Sequence, residues 1–208
     1  EVIETLPSRD HTERLLGLPI EANGEQKIIT SSRNTAIPEQ SYRIPNDFSA
    51  AAFWLVAGAI HPDAEITMEN VGMNPSRTAA LDILQKMGAN ITIRNQHNEG
   101  AEPVADLTVS SSDLQPIQIT EDIVPNCIDE IPILAVAMLF ADGTSRISGA
   151  GELRHKETDR LSAMADILDS IDANFTEYED GFQIDGDPGF RPRPARLDSC
   201  HDHRIAMS

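Results

Sequence analysis

Cysteine is scarce in this sequence. Cys127 and Cys200 are the only two in 208 residues, too few for a disulfide framework, so a reducing, cytoplasmic setting is expected. Aromatic residues make up 4%, which leaves any core to aliphatic side chains. Bases are outnumbered: 16 Lys and Arg against 34 Asp and Glu give a formal net charge of −18. Such a chain repels nucleic acid and anionic membranes in the mean, and neither is an expected partner. No run approaches the ~18 apolar residues of a membrane-spanning helix. Glu1-Val2-Ile3-Glu4 does not resemble a signal peptide, and the missing initiator Met suggests a fragment. Gly143, Gly149 and Gly151 form neither a phosphate loop nor a dinucleotide fingerprint. No Ser-His-Asp or Cys-His order supports nucleophilic catalysis.

Against this acidic background one charged stretch stands out, Glu152-Leu153-Arg154-His155-Lys156-Glu157-Thr158-Asp159-Arg160-Leu161. Lys156 and Arg160 are four apart, which on a helix puts two cations on one face. Glu157 lies beside them as a carboxylate able to carry a proton. Two cations and a proton carrier suit an anionic, phosphorylated substrate and acid–base chemistry. A solvated helix start with ion pairs accounts for the same residues equally well.

The length suits one large domain or parts of two. Asp10-His11-Thr12-Glu13 has the form of a capping box ahead of a short helix. Lys27–Ser31 reads as a strand, Thr35–Gln40 as a loop and Tyr42–Pro45 as extended chain. Asp47-Phe48-Ser49 opens an apolar, Ala-rich run, Ala50–Ile60, expected to be a buried helix. A turn at His61-Pro62-Asp63 leads to a strand over Glu65–Val71. Asn74-Pro75-Ser76 reads as a helix start, Gly88 as its end, and Asn90–Arg94 as a strand. Asn95–Pro103 reads as a polar loop, with strands at Asp106–Ser110 and Ile117–Ile119. The order then restarts: Asp129-Glu130, a second apolar helix over Ile131–Phe140, a strand over Thr144–Ser148, and the charged stretch. An amphipathic helix through Leu161, Met164, Leu168 and Ile171 follows, then strands at Asn174–Tyr178 and Gly181–Ile184.

Displacing the sequence by 84 positions aligns Ala57 with Ala141, Asp82-Ile83-Leu84 with Asp166-Ile167-Leu168, and Ala89-Asn90 with Ala173-Asn174. Residues Asp10–Ser31 look like the second half of an earlier unit, and Asp202 opens a later one as Asp47 and Asp129 do. An isolated unit cannot bury its apolar helix, so several units are expected to wrap strands around central helices.

Candidate residues cluster at unit openings. Asp129 is read either as a helix cap, which its local sequence favours, or as a base for a substrate hydroxyl. Cys200-His201-Asp202-His203-Arg204 fits zinc poorly, and no metal is expected; a helix start with Arg204 facing an anion fits better. Ser8-Arg9 reads as an exposed arginine or an anion contact, Arg77 as a structural ion pair, and Cys127 as a small core residue.

Six strings occur here in the order seen in the 5-enolpyruvylshikimate-3-phosphate synthase family: 8–14, 46–53, 70–78, 129–132, 152–160 and 202–207. Lys156-Glu157-Thr158-Asp159-Arg160 and Asp202-His203-Arg204-Ile205-Ala206-Met207 are the most specific. The chain resembles an internal part of such an enzyme, from its middle to near its end. The resemblance implies an α/β (α+β) enolpyruvyl transferase fold of repeated βαβαββ units, with buried helices inside and sheets outside. It implies a transferase of the shikimate pathway, in chorismate and aromatic amino-acid biosynthesis. Its substrates are shikimate 3-phosphate and phosphoenolpyruvate, it needs no cofactor, and glyphosate is an inhibitor. The full-length enzyme is expected to be a monomer.

By position, the resemblance gives Asp129 contact with shikimate 3-phosphate and removal of its 5-hydroxyl proton. Lys156 sits at the substrate junction, and Glu157 shuttles a proton at the phosphoenolpyruvate methylene carbon. Arg160 and Arg204 hold phosphoenolpyruvate, His203 lines its site, and Arg9 matches a shikimate-3-phosphate contact of a family subset. Residues 1–45 would be the tail of one domain and 46–208 most of the other. Anion-binding residues of the remaining halves have no match here, so the fragment alone is expected to be inactive. A UDP-sugar enolpyruvyl transferase, or a non-catalytic anion-binding fragment, are the alternatives.

Overall fold

The computed structural model describes the chain except residues 6, 7, 25, 38 and 40–42. Gln40 of the expected loop and Tyr42 of the expected extended segment lie outside the described residues. Three sheets share one plan. In the first, β1 (Val2–Glu4), β2 (Ile20–Asn23) and β3 (Gln26–Ile29) lie in the order β1-β3-β2, with α1 (His11–Leu16) between β1 and β2. The second unit runs α2 (Phe48–Ile60), β4 (Glu65–Gly72), α3 (Ala79–Lys86), β5 (Asn90–Glu99) and β6 (Glu102–Ser110), with strand order β4-β6-β5. The third runs β7 (Gln118–Ile119), α4 (Ile131–Leu139), β8 (Gly143–Ile147), α5 (Arg160–Ser170), β9 (Phe175–Tyr178) and β10 (Gly181–Gly186), in the order β7-β8-β10-β9. Each time the last strand of a hairpin inserts between its partner and an earlier strand. β7 pairs parallel to β8, and the single parallel bridge Asn46–Val71 is its counterpart one unit earlier. The repeat read from the sequence is therefore a repeat of topology, and α6 (His203–Met207) follows the third unit as α2 and α4 open theirs.

α2 and α4 are apolar almost all round because they lie inside. Leu55, Val56, Leu134 and Met138 are fully buried, while Trp54 on α2 faces outward, 56% exposed. Asp47 caps α2 through Ser49 N and Ala50 N at 3.1 and 3.2 Å, satisfying donors the helix cannot. One apolar cluster runs from Phe48 to Ile205, and among the described residues none earlier joins it. Among the described residues no helix is long and apolar enough to cross a membrane.

Four local expectations are corrected. Asp10 occupies the cap position of α1 but its side chain makes no cap bond; it accepts from Arg14 Nε at 2.9 Å and Asn74 Nδ2 at 2.8 Å, partners stronger than one backbone amide. α3 begins at Ala79 and not at Pro75, because Asn74 Oδ1 takes the Ser76 amide and folds 75–78 into turns. The expected loop over Asn95–Pro103 is mostly strand: β5 runs to Glu99 and pairs with β6 through a register shift. Backbone pairing overrides the polar sequence there, and Asp106 stabilises the irregularity by accepting from Asn70 N and Asn95 Nδ2 at 2.8 and 2.6 Å. Finally, Lys156 and Arg160 do not share a helix face. A 3₁₀ turn covers Gly151–His155, Lys156 is extended, and α5 begins only at Arg160.

Candidate active site

Asp159 is what starts α5 so late. Its carboxylate caps Ser162 N at 3.0 Å and holds Arg154 Nη1 at 3.0 Å. Arg154 in turn reaches Glu177 Oε1 at 2.8 Å, Tyr178 O at 2.9 Å and Glu179 O at 2.8 Å. The loop carrying Lys156 and Glu157 is thereby fastened to the end of β9. Beyond it, Arg160 is 2% exposed and fully occupied: Nε to Asp202 Oδ2 at 2.7 Å, Nη2 to Glu157 Oε2 at 2.7 Å, Nη1 to Asp129 Oδ1 at 3.4 Å.

Asp202 does two things at once. Oδ1 caps α6 through Arg204 N at 2.8 Å and Ile205 N at 3.4 Å, and Oδ2 pins Arg160. Burial acts against its charge, but the Arg160 hydrogen bond and the α6 amides outweigh it and hold the carboxyl below its ordinary range.

Asp129 is not a helix cap, contrary to the local sequence reading. Glu130 holds that position, and the Asp129 carboxylate turns to arginines. Arg9 Nη2 donates to Oδ2, and Arg204 Nη2 lies 3.9 Å from the same oxygen. Burial would raise its carboxyl; Arg9, with the charges of Arg204 and Arg77, holds it below the ordinary range. Arg9, expected to be exposed or anion-binding, is half-exposed and bridges the first unit to the third.

Five sequence-selected residues therefore meet: Arg9, Asp129, Glu157, Arg160 and Arg204. Lys156 does not join them; its Nζ pairs with Glu152 at 3.1 Å. His203 is exposed and makes no side-chain hydrogen bond or ion pair among the described residues. Arg77 is the ion pair expected of it, with Glu130 at 3.8 Å. What the sequence reading missed is the support: Asp202 as the anchor of Arg160, and Ser49 and Glu130 beneath Arg204. An acid and a hydroxyl heading two nearly wholly apolar helices were the available signal.

Guanidinium forks at one spot suit planar carboxylate and phosphate groups. Glu157, with a half-exposed side chain beside them, is placed to exchange a proton with a bound molecule. Among the described residues no group of three or more His, Cys, Asp or Glu is arranged to hold a metal ion.

Inner helices, outer sheets with the hairpin strand inserted, and a carboxylate–arginine cluster at the helix starts define an enolpyruvyl transferase-type domain. The fold matches that of the enolpyruvyl transferase NikO from Streptomyces tendae, with TM-score 0.61 over 93% of this chain and 42% of that one at 21% identity, a likeness of fold alone. The family model described as EPSP synthase (3-phosphoshikimate 1-carboxyvinyltransferase) matches residues 1–208, and the chain belongs to that family. A 3-phosphoshikimate 1-carboxyvinyltransferase of Salinibacter ruber is 52% identical over all of this chain and 48% of its own length. The structure of EPSP synthase from Acinetobacter baumannii superposes with TM-score 0.88 at 39% identity, covering 98% of this chain and 47% of that one. The chain thus spans about half the length of the curated relatives it matches.

Proposed function

We propose that this chain supplies one wall of an enzyme that transfers the 1-carboxyvinyl group of phosphoenolpyruvate to the 5-hydroxyl of shikimate 3-phosphate. The observation that carries the reading is the convergence of Arg9, Arg160 and Arg204 on Asp129, with Glu157 on Arg160, in a chain of this family. In it Arg160 and Arg204 hold phosphoenolpyruvate, with His203 at the rim. Arg9, Lys156 and Asp129 hold shikimate 3-phosphate. Asp129 takes the 5-hydroxyl proton as that oxygen bonds to C2 of phosphoenolpyruvate, and Glu157 delivers a proton to C3. Phosphate then leaves C2 while C3 returns its proton and the double bond reforms.

Without substrate, Asp129 is tied to arginines and is a poor base. Anionic substrates compete for those arginines and so free its carboxylate for the hydroxyl. The Cys127 thiol, pushed up to about 12 by burial and the nearby Glu130 charge, is unsuited to nucleophilic chemistry.

The core that starts at Phe48 supports a division into 1–45, the tail of one domain, and 46–208, most of a second. Substrates would lie between the domains. A cytoplasmic monomer inhibited by glyphosate completes the reading. The test is phosphate release by the full-length enzyme carrying this segment. Glu157→Gln and Asp129→Ala should each lower kcat by roughly 10²- to 10⁴-fold; wild-type turnover in both sinks the role assignment.

A further inference from the structure

We infer that Glu130 is a positioning residue that fixes the orientation of Arg204 and ties it, through Ser49, to Arg77 of the preceding repeat unit. The inference rests on the reading of Arg204 as a phosphoenolpyruvate contact. Three acids head the three inner helices, and two of them cap: Asp47 on α2 and Asp202 on α6. Glu130 heads α4 and its side chain caps nothing. Its Oε1 instead accepts the Ser49 hydroxyl proton and lies 3.5 Å from Arg204 Nη1 and 3.8 Å from Arg77 Nη2. Arg77 Nη2 donates to the same Ser49 oxygen. One carboxylate oxygen thereby gathers groups from the starts of α2, α3 and α6.

Glu130 is 1% exposed and Ser49 wholly buried, and their side chains meet each other, Arg77 and Arg204. Whatever they do for the reaction passes through Arg204. That arginine is held on both sides, Nη1 by Glu130 and Nη2 by Asp129 at 3.9 Å. Asp129 is the partner that the reaction would engage. When it turns to the hydroxyl, Glu130 is what keeps the Arg204 fork aimed. Burial also pushes the Glu130 carboxyl up, so a negative charge here is costly for the fold. A cap or a packing group would not need that charge; an arginine holder does.

Steady-state kinetics of the full-length enzyme carrying this segment test the inference. Glu130→Gln keeps the shape and removes the charge. The Michaelis constant for phosphoenolpyruvate should rise about tenfold, kcat should fall less than about threefold, and the constant for shikimate 3-phosphate should hold. Glu130→Asp, which restores charge on a shorter arm, should recover part of the loss. An unchanged phosphoenolpyruvate constant in Glu130→Gln overturns the inference. So does a fall in kcat matching a lost folded fraction, with both constants unchanged. If Glu130→Gln does not fold, Ser49→Ala takes its place, with about a threefold rise expected and no rise overturning. Arg204→Lys separates the two readings. If it leaves the phosphoenolpyruvate constant untouched, the assignment of Arg204 fails; if it raises that constant and Glu130→Gln does not, the Glu130 inference alone fails.

Discussion

Five aspartates, Asp10, Asp106, Asp129, Asp159 and Asp202, sit below their ordinary value of 3.8. Burial opposes each charge; hydrogen bonds and guanidinium neighbours outweigh it: Arg14 and Asn74 for Asp10, Asn95 and the Asn70 amide for Asp106, Arg9 for Asp129, Ser162 and Arg154 for Asp159, Arg160 for Asp202. Folded, they bind protons more weakly than in the unfolded chain, so their contribution is full above pH about 4 and is lost as pH falls through the lower folded values. Glu130 runs the other way: raised by burial, it costs stability at neutral pH. Urea midpoints should therefore hold or rise slightly between neutral pH and about 4.5, as Glu130 takes its proton, and drop below pH 4, and Asp202→Asn should shrink that drop. A midpoint that climbs below pH 4 contradicts the assignment. At this scale the sequence showed which residues are charged and not what they face. Arg160 was legible as a cation in a charged string; its burial against Asp202, 42 positions away, was not.

The loop before α5 decides where Lys156 and Glu157 sit. Its sequence reads equally as a helix, because Lys156, Glu157 and Arg160 have helical spacing. Asp159 ends that possibility by capping Ser162 N, and Arg154 ties the preceding turn to β9. Removing the cap acts on both stability and geometry. Asp159→Ala should cost about 1–2 kcal/mol in unfolding free energy and lower turnover by more than the small folded-state loss explains. Chemical denaturation beside kinetics separates the two effects; a variant with reduced stability and unaltered kcat would show that the loop needs no anchor. The expected loop at Asn95–Pro103 errs in the opposite direction. A polar, unpatterned stretch becomes strand because β6 offers a ladder on the other side, information that lies outside the local window.

At the scale of the molecule, three sheets with one strand order are joined at a seam where the first unit meets the second and third. Asn74 Nδ2 donates to Asp10 Oδ1 at 2.8 Å and Glu102 Oε2 at 3.0 Å, and Arg9 crosses to Asp129. Arg9 and Asp129 of the proposed anion site meet at that seam; the relatives are about twice as long. Residues 1–208 by themselves should release phosphate from the two substrates at less than about 1% of the rate of the full-length enzyme, since transition-state stabilisation is shared among positioned groups. Near-normal turnover by the segment would place the whole site within it and overturn the two-walled cleft.

The sequence by itself determined the inner helices, the repeat and the chemical types available. Apolar runs too uniform for a surface helix must be buried, and self-similarity at a fixed spacing demands a repeated unit. It also carried the family strings. Tertiary structure alone decided which acid caps and which binds arginine. Asp47, Glu130 and Asp202 stand at alike positions in the repeat, yet two cap their helices and Glu130 is drawn to arginines from neighbouring units. A buried carboxylate goes where its charge is best compensated, and that depends on side chains brought close by packing and not by spacing. The charged string of 152–161 keeps its chemistry, on a pinned loop whose arginine is buried against α6 and not on a helix face.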